Sequence, residues 1–352
     1  MSRWIKLGVS LAITVVCLWW TFKNTHWAEM WVALASANWL TTLSVYLVVL
    51  AVIHVARTLR WGNLMSGLEK VPFKQLNEAS AIGFMMLIIL PFRLGEFARP
   101  FLIAQRSGIR RSAAMTSVVL ERIIDGLIIA ILLRGLMFFV PEDAHDIERV
   151  RVGANLMFLV FFSGFCFLLL ARWKHDFVIG VMRKTMGRIS PGLTEKVVGI
   201  VDGFVGALKQ LPDGKNMALF FLWTAIYWVA NGAGMAWFAN GFDCSGAAGR
   251  ACVPLHLDLF QGYFLLCVVI VGMMIPAAPG SAGTAQLALL IGMGVFLPQD
   301  IVNSSGVAYA NVLWAVQIIQ QVLVGLFFLV RSHGSFSDIA GKLSDQAKTG
   351  EA

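Results

Sequence analysis

The sequence predicts an all-α polytopic membrane protein, with about six full spans plus two Pro/Gly-broken re-entrant hairpins, in the pattern of an inverted repeat. Three observations carry this. Hydrophobic residues make up 58% of the 352 positions and charged ones 14%, and they gather in runs long enough for a hydrocarbon core of about 30 Å. Two of the runs break at proline and glycine. One of the longest carries four charges in its interior. No stretch outside the apolar runs is long enough to hold a core of its own. The net charge of +8 falls in alternate connections, as positive-inside loops do, so no nucleic-acid partner is expected.

Taken in order, Leu7 to Phe22 is the first apolar run. It starts like a signal peptide, but Thr21-Phe22-Lys23-Asn24 offers no small-residue cleavage site, so a retained span is expected. Lys23 to Trp39 reads as a near-neutral, Trp-rich connection, and Leu40 to Leu59 as the second span. Arg57, Arg60, Lys70 and Lys74, at its end or just beyond, place that side in the cytoplasm. His54 has no Cys, His or acidic partner at metal-ligand spacing and is read as a packed histidine.

Ala79 to Leu90 would be roughly 18 Å long as a helix, too short to cross. Pro91-Phe92-Arg93-Leu94-Gly95-Glu96-Phe97-Ala98-Arg99-Pro100 then breaks it, and Phe97 to Ala104 carries the chain back. This is a re-entrant hairpin with Arg93, Glu96 and Arg99 near its tip. Lipid gives non-helical backbone no hydrogen-bond partners, so the tip should face protein or a water-filled cavity.

From Met115 to Val140, about fifteen strongly apolar residues at about −0.5 kcal/mol each are set against Glu121, Arg122, Asp125 and Arg134 at about +3 kcal/mol each. The sum is unfavourable by several kcal/mol. Arg134 can snorkel to the interface; Glu121 and Asp125 cannot. Four residues apart, they share one face, with Arg122 spaced to pair with Asp125. That face is expected to meet Arg93 and Arg99. Buried charges of this kind either carry function or only lock helix packing, and function is the first hypothesis inside a membrane.

Pro141 to Val152 is acidic and assigned outside, and Gly153 to Ala171 returns. Arg172 to Lys215 holds eight Lys or Arg and two amphipathic pieces, Phe177 to Ile189 and Leu193 to Leu208. They are expected to lie on the cytoplasmic surface or to cap the spans there. Met217 to Asn240 crosses outward to a flexible loop in which Cys244 and Cys252 can form a disulfide in an oxidising compartment. Cys17, Cys166 and Cys267 lie in apolar runs and are expected to pack.

Leu257 to Ile275 runs inward and breaks at Pro276-Ala277-Ala278-Pro279-Gly280-Ser281-Ala282-Gly283; Thr284 to Leu297 is again short. This is the second hairpin. Gly306 to Val330 is the last span. Residues 1–331 thus form one membrane domain, with a polar cytoplasmic tail at 332–352. Each half reads as span, broken hairpin, long span, and entry of the hairpins from opposite sides would bring their tips together at midplane.

Arg93-Leu94-Gly95-Glu96 with Arg99, Glu121-Arg122 with Asp125, and Pro279-Gly280-Ser281-Ala282-Gly283-Thr284-Ala285-Gln286 resemble the flippase-like integral membrane family. That family includes the transmembrane region of lysylphosphatidylglycerol synthases, and the resemblance covers nearly the whole chain. It implies translocation of a lipid or lipid-linked headgroup, or a role in membrane-lipid biogenesis, in the cell inner membrane. The aminoacyl-transferase domain of the two-part synthases has no counterpart in the polar residues after the last span. Many members also carry Pro-Gly-Gly-x-Gly with an acid three positions later, where this chain has Ser281, Ala282 and Gln286.

The expected substrate contacts are Arg93, Glu96, Arg99, Glu121, Arg122, Asp125, Gly280, Gly283 and Gln286. Arginine offers bidentate donors to phosphate, and the glycines would let backbone approach a ligand or helices pack closely. No metal or other cofactor is expected, and no GxxxxGK[ST] segment for ATP is present. The leading expectation is a lipid transporter rather than an enzyme. Its rivals are an accessory subunit for a lipid-modifying enzyme partner and, less strongly, a membrane-embedded enzyme acting on lipid phosphate.

Overall fold

Apolar runs of helical period fold as helices because lipid leaves backbone amides no partner outside their own helix. In the computed structural model every regular element among the described residues is helical. The described residues are 3–90, 95–186, 192, 194–195, 198–199, 201, 205, 212–247, 249–275, 277 and 279–332. The second amphipathic piece and the polar tail, both expected from the sequence, lie largely outside them.

The helices are α1 (Arg3–Phe22), α2 (Trp27–Ser36), α3 (Trp39–Met65), α4 (Phe73–Ile89), α5 (Ala98–Ser107), α6 (Arg111–Met137), α7 (Ile147–Trp173), α8 (His175–Met186), α9 (Gly214–Ala239), α10 (Leu259–Met273), α11 (Thr284–Gly294) and α12 (Gln299–Arg331). Helices α3, α7, α9 and α12 are long and apolar enough to cross a membrane. Helix α6 has 27 residues but interrupts its apolar sequence with buried charge. The chain is therefore an all-α, multi-pass membrane protein.

Several boundaries differ from the sequence reading. The connection after the first span contains α2, whose Met30, Ala33 and Ser36 are buried. The first arm of the first hairpin begins at Phe73, six residues before Ala79, because Lys74, Asn77 and Glu78 find partners or water at its base instead of lying in lipid. At 17 residues it is roughly 25 Å long. Helix α12 begins at Gln299 and reaches Gly306 through a π-helical segment, Val302–Gly306, whose Asn303 carbonyl accepts from the His26 N–H at 2.9 Å.

The local chemistry explains the ends. Asn38, Asp213 and Asp258 cap α3, α9 and α10 with side-chain oxygens. Gly108 ends α5 in the left-handed conformation, φ 73°. Pro100 sits in the first turn of α5, where its missing N–H costs no helical bond.

Helices α5 and α11, at 10 and 11 residues, are too short to cross. Each folds back on the arm before it, α5 on α4 and α11 on α10. The two halves pack on each other through three helix pairs: α3 lies against α9, α4 against α12, and α10 against α6. One apolar core, with Tyr46, Phe238, Phe242, Phe264 and Tyr309, sits between the halves. A second, with Trp61, Ile82, Met85, Met86, Phe101 and Leu102, surrounds the first hairpin.

The loop expected to be flexible after α9 is pinned. Its Gly246 N–H donates to the Ser36 carbonyl at 3.2 Å, the Ser305 hydroxyl donates to the Val253 carbonyl, and Cys244 is disulfide-bonded to Cys252. Of the cysteines read as packing residues, Cys267 is buried and Cys17 partly so, but Cys166 is exposed. It faces outward on α7, one of the least buried helices. Helix α8 turns Val178 and Ile179 inward and leaves Phe177 and Val181 exposed.

Candidate functional site

The charges of α6 meet a partner that the sequence places at the cytoplasmic end of the second span. Arg60 on α3 is fully buried. Its Nη1 donates to Asp125 Oδ1 at 2.7 Å, and its Nη2 to Asp125 Oδ2 at 2.7 Å and Glu121 Oε1 at 2.6 Å. Arg99 Nη1 approaches Glu121 Oε2 at 3.3 Å. Asp125 is thus engaged by Arg60 of α3, and Glu121 by Arg60 and by Arg99 of α5. Burial of two ions costs several kcal/mol each, and only close, multiply bonded geometry like this offsets it.

Aromatic rings wall the cluster. The Arg99 guanidinium lies 4.4 Å from the Trp61 ring centre and 4.5 Å from that of Phe84, while Arg57 stacks on Phe84 at 3.2 Å and Arg60 faces Tyr227 at 4.5 Å. Rings cover guanidinium faces without consuming N–H donors. The indole N–H of Trp61 donates to Ser117 on α6 at 3.0 Å, fixing the wall to the helix that bears the carboxylates. Gly83 lets α5 sit so close to α4 that any Cβ there would collide with Arg99, which sets the depth of that side chain.

At the base of the first hairpin, Arg106 Nη1 donates to Glu78 Oε2 at 2.6 Å and ties the two arms. At its upper end Gly95 lies against the Leu87 backbone, with no room for a side chain.

The second hairpin is held differently. Gly280 and Gly283 have φ 69° and 84°, conformations that glycine adopts without cost. A Cβ on Gly283 would also approach the Thr14 carbonyl of α1 to 2.9 Å. Gln286 is buried, and its Oε1 accepts from the Gly283 N–H at 2.8 Å, capping α11. Backbone geometry and close packing account for these three residues. Trp314 on α12 donates to the Gly280 carbonyl at 2.9 Å, and the broken tip touches Ile88 of α4. Five residues, roughly 7 Å of helix, separate Ile88 from Gly83, so the second tip ends near the arginine cluster.

Of the residues predicted as substrate contacts, Arg99, Glu121 and Asp125 come together in one buried network. Arg122 borders it and interacts electrostatically with Glu121, Asp125 and Glu96, while Arg60 takes both Asp125 oxygens in hydrogen bonds. Gly280, Gly283 and Gln286 form the neighbouring tip. Arg93 lies outside the described residues. Arg134, as the snorkelling argument requires, reaches an exposed position and donates to Asn155 at 2.5 Å. His54 is bonded to Asn77 at 2.8 Å.

Arg57, Arg60, Trp61, Phe84 and Tyr227 were missed. The available signal was the apolar pattern continuing past Arg60 through Trp61, Leu64 and Met65, which puts Arg60 inside α3 and not at its end. Helix α12 adds a polar face: Gln321 accepts from Arg57 at 3.4 Å, and Gln317 donates to the Tyr46 hydroxyl at 2.8 Å.

Two other features bear on function. Among the described residues no group of three His, Cys, Asp or Glu is arranged to hold a metal ion. A cleft of about 480 Å³ between α3, α9 and residues 256–259 has a mainly apolar lining that includes Val45, Val49 and Trp237, with His256 and Asp258 at one end. It contains none of the cluster residues, and its lining suits an acyl chain better than a headgroup.

A family model described as the lysylphosphatidylglycerol synthase TM region matches residues 5–325. No curated protein and no solved structure matches the chain.

Proposed function

Since the chain belongs to the lysylphosphatidylglycerol synthase transmembrane-region family, with the role in membrane lipids that this implies, we propose that it is a lipid or lipid-linked headgroup transporter of the bacterial cytoplasmic membrane. The headgroup is held at the cluster of Arg60, Arg99, Glu121 and Asp125, with both chain termini on the cytoplasmic side. The observation that carries this reading is the concentration of guanidiniums and carboxylates deep in the bundle, where the first hairpin and the tip of the second converge. Broken helices that meet inside a membrane are the usual framework of a substrate site.

Reconstitution of the protein in liposomes, with transbilayer movement of acyl-labelled phospholipids as the readout, tests it. Wild type is expected to accelerate movement, and Arg99→Ala and Glu121→Gln to abolish the acceleration while still inserting. If wild type moves no lipid and both variants still complement a deletion in cells, the cluster is structural and the protein is an accessory subunit.

A further inference from the structure

Resting on that reading of the site, we infer that the substrate is a lipid whose headgroup carries a phosphate anion without a compensating amine. The cationic aminoacylated headgroup is disfavoured. The geometry points to this through what is engaged and what is left open.

Each carboxylate is already committed. Asp125 gives both oxygens to Arg60, Glu121 is shared between Arg60 and Arg99, and Glu96 sits in the field of Arg122. At the second tip the position that is acidic in the resembled pattern is Gln286, whose carbonyl oxygen is used on the Gly283 N–H. Among the described residues an ammonium entering here would find no uncommitted carboxylate and would face the guanidiniums of Arg57, Arg60, Arg99 and Arg122.

The donors are the converse. Arg99 is 2% exposed, and among the described residues its Nε and Nη2 have no hydrogen-bond partner. Those two atoms form one complete edge of the guanidinium, the two-donor fork that matches two oxygens of a phosphate. Trp61 and Phe84 cover its faces, so a ligand can approach only edge-on. The Nε atoms of Arg57, Arg60 and Arg122 are likewise buried and, among the described residues, unpartnered. Buried donors of this kind are costly to leave unmade, and among the described residues four guanidiniums face three carboxylates, a balance that one further anion would even.

The test uses full-length protein in nanodiscs and an acyl-labelled phosphatidylglycerol probe, displaced by unlabelled phosphatidylglycerol, phosphatidate, phosphatidylethanolamine, lysyl-phosphatidylglycerol and soluble glycerol 3-phosphate. The two anionic lipids are expected to bind at least about tenfold tighter than the amine-bearing ones, the scale of one charge-assisted fork. Arg99→Gln should erase that difference, Arg99→Lys should retain only part of it, and Arg183→Gln, at an exposed pair, should leave it intact. Should the glutamine variant not remain monodisperse, the wild-type displacement series decides alone. Equal or tighter binding of lysyl-phosphatidylglycerol overturns the inference, and displacement by glycerol 3-phosphate at lipid-like concentrations overturns its lipid part. Selective binding without transbilayer movement upholds the inference and removes the transport reading; movement of all headgroups alike does the opposite.

Discussion

At the scale of single residues, the buried network is the most sensitive feature. Asp125→Asn or Glu121→Gln leaves Arg60 short of a buried partner, and loss of one member of such a set costs about 3–5 kcal/mol. A clear drop in detergent-phase melting temperature is the expected outcome. Arg134→Gln, at an exposed pair with Asn155, should change stability by less than about 1 kcal/mol. Asp213 offers a pH test outside the membrane-spanning segments. Hydrogen bonds from the backbone and side chain of Asn216 hold its carboxyl below the ordinary value. A depressed folded-state value means that its contribution is present above the unfolded value and lost as pH falls through the folded one. Protection of the amides at the start of α9, taken relative to the intrinsic exchange rate at each pH, should therefore be fully present at neutral pH and fall below about pH 4.

At the scale of elements, the two hairpins are closed by different means, and substitutions should separate them. Gln286→Leu leaves the buried Gly283 N–H unpaired, a loss of about 1–3 kcal/mol, whereas Gln286→Glu keeps an acceptor there and should be milder. Faster exchange over residues 283–287 is the readout. Gly283→Ala adds strain at φ 84° and a contact with Thr14, so it should loosen α1 as well as the tip. The positions of both hairpins were legible, because Pro91, Gly95, Pro279 and Gly283 interrupt otherwise apolar helices. Their extent was not. Polar residues such as Lys74, Asn77 and Glu78 look like loop in a hydropathy reading, yet Glu78 is paired to Arg106 and Asn77 to His54 within the fold. Helix α2 was missed for a similar reason: ten residues are too few for a span, and its apolar face packs through tertiary contacts with α12, including the Val302–Gly306 segment, with Met30 and Ala33 in the core.

At the scale of the whole molecule, the packing of α3 on α9 and of α4 on α12 and on the second tip brings the two hairpins into one bundle. The sidedness assigned to it predicts that a single cysteine at Asp143 is labelled from outside intact cells by an impermeant maleimide, and one at Lys70 only after permeabilisation. Labelling of Lys70 from outside would invert the arrangement. The disulfide between Cys244 and Cys252 joins the same test, since it requires the loop after α9 to face an oxidising compartment.

What the sequence by itself determined is the class and its framework: length and hydropathy of the runs dictate helices in lipid, proline and glycine dictate where they break, and four charges inside α6 dictate that something must neutralise them. Which groups do so was decided only by tertiary structure. Arg60 is 61 and 65 residues from its partners, and no local spacing encodes a contact at that separation. Its position near the end of an apolar run is equally consistent with a cytoplasmic anchor. The packing of α3 against α4, α6 and α9 turns that arginine inward, and one buried edge of Arg99 is left without a hydrogen-bond partner among the described residues.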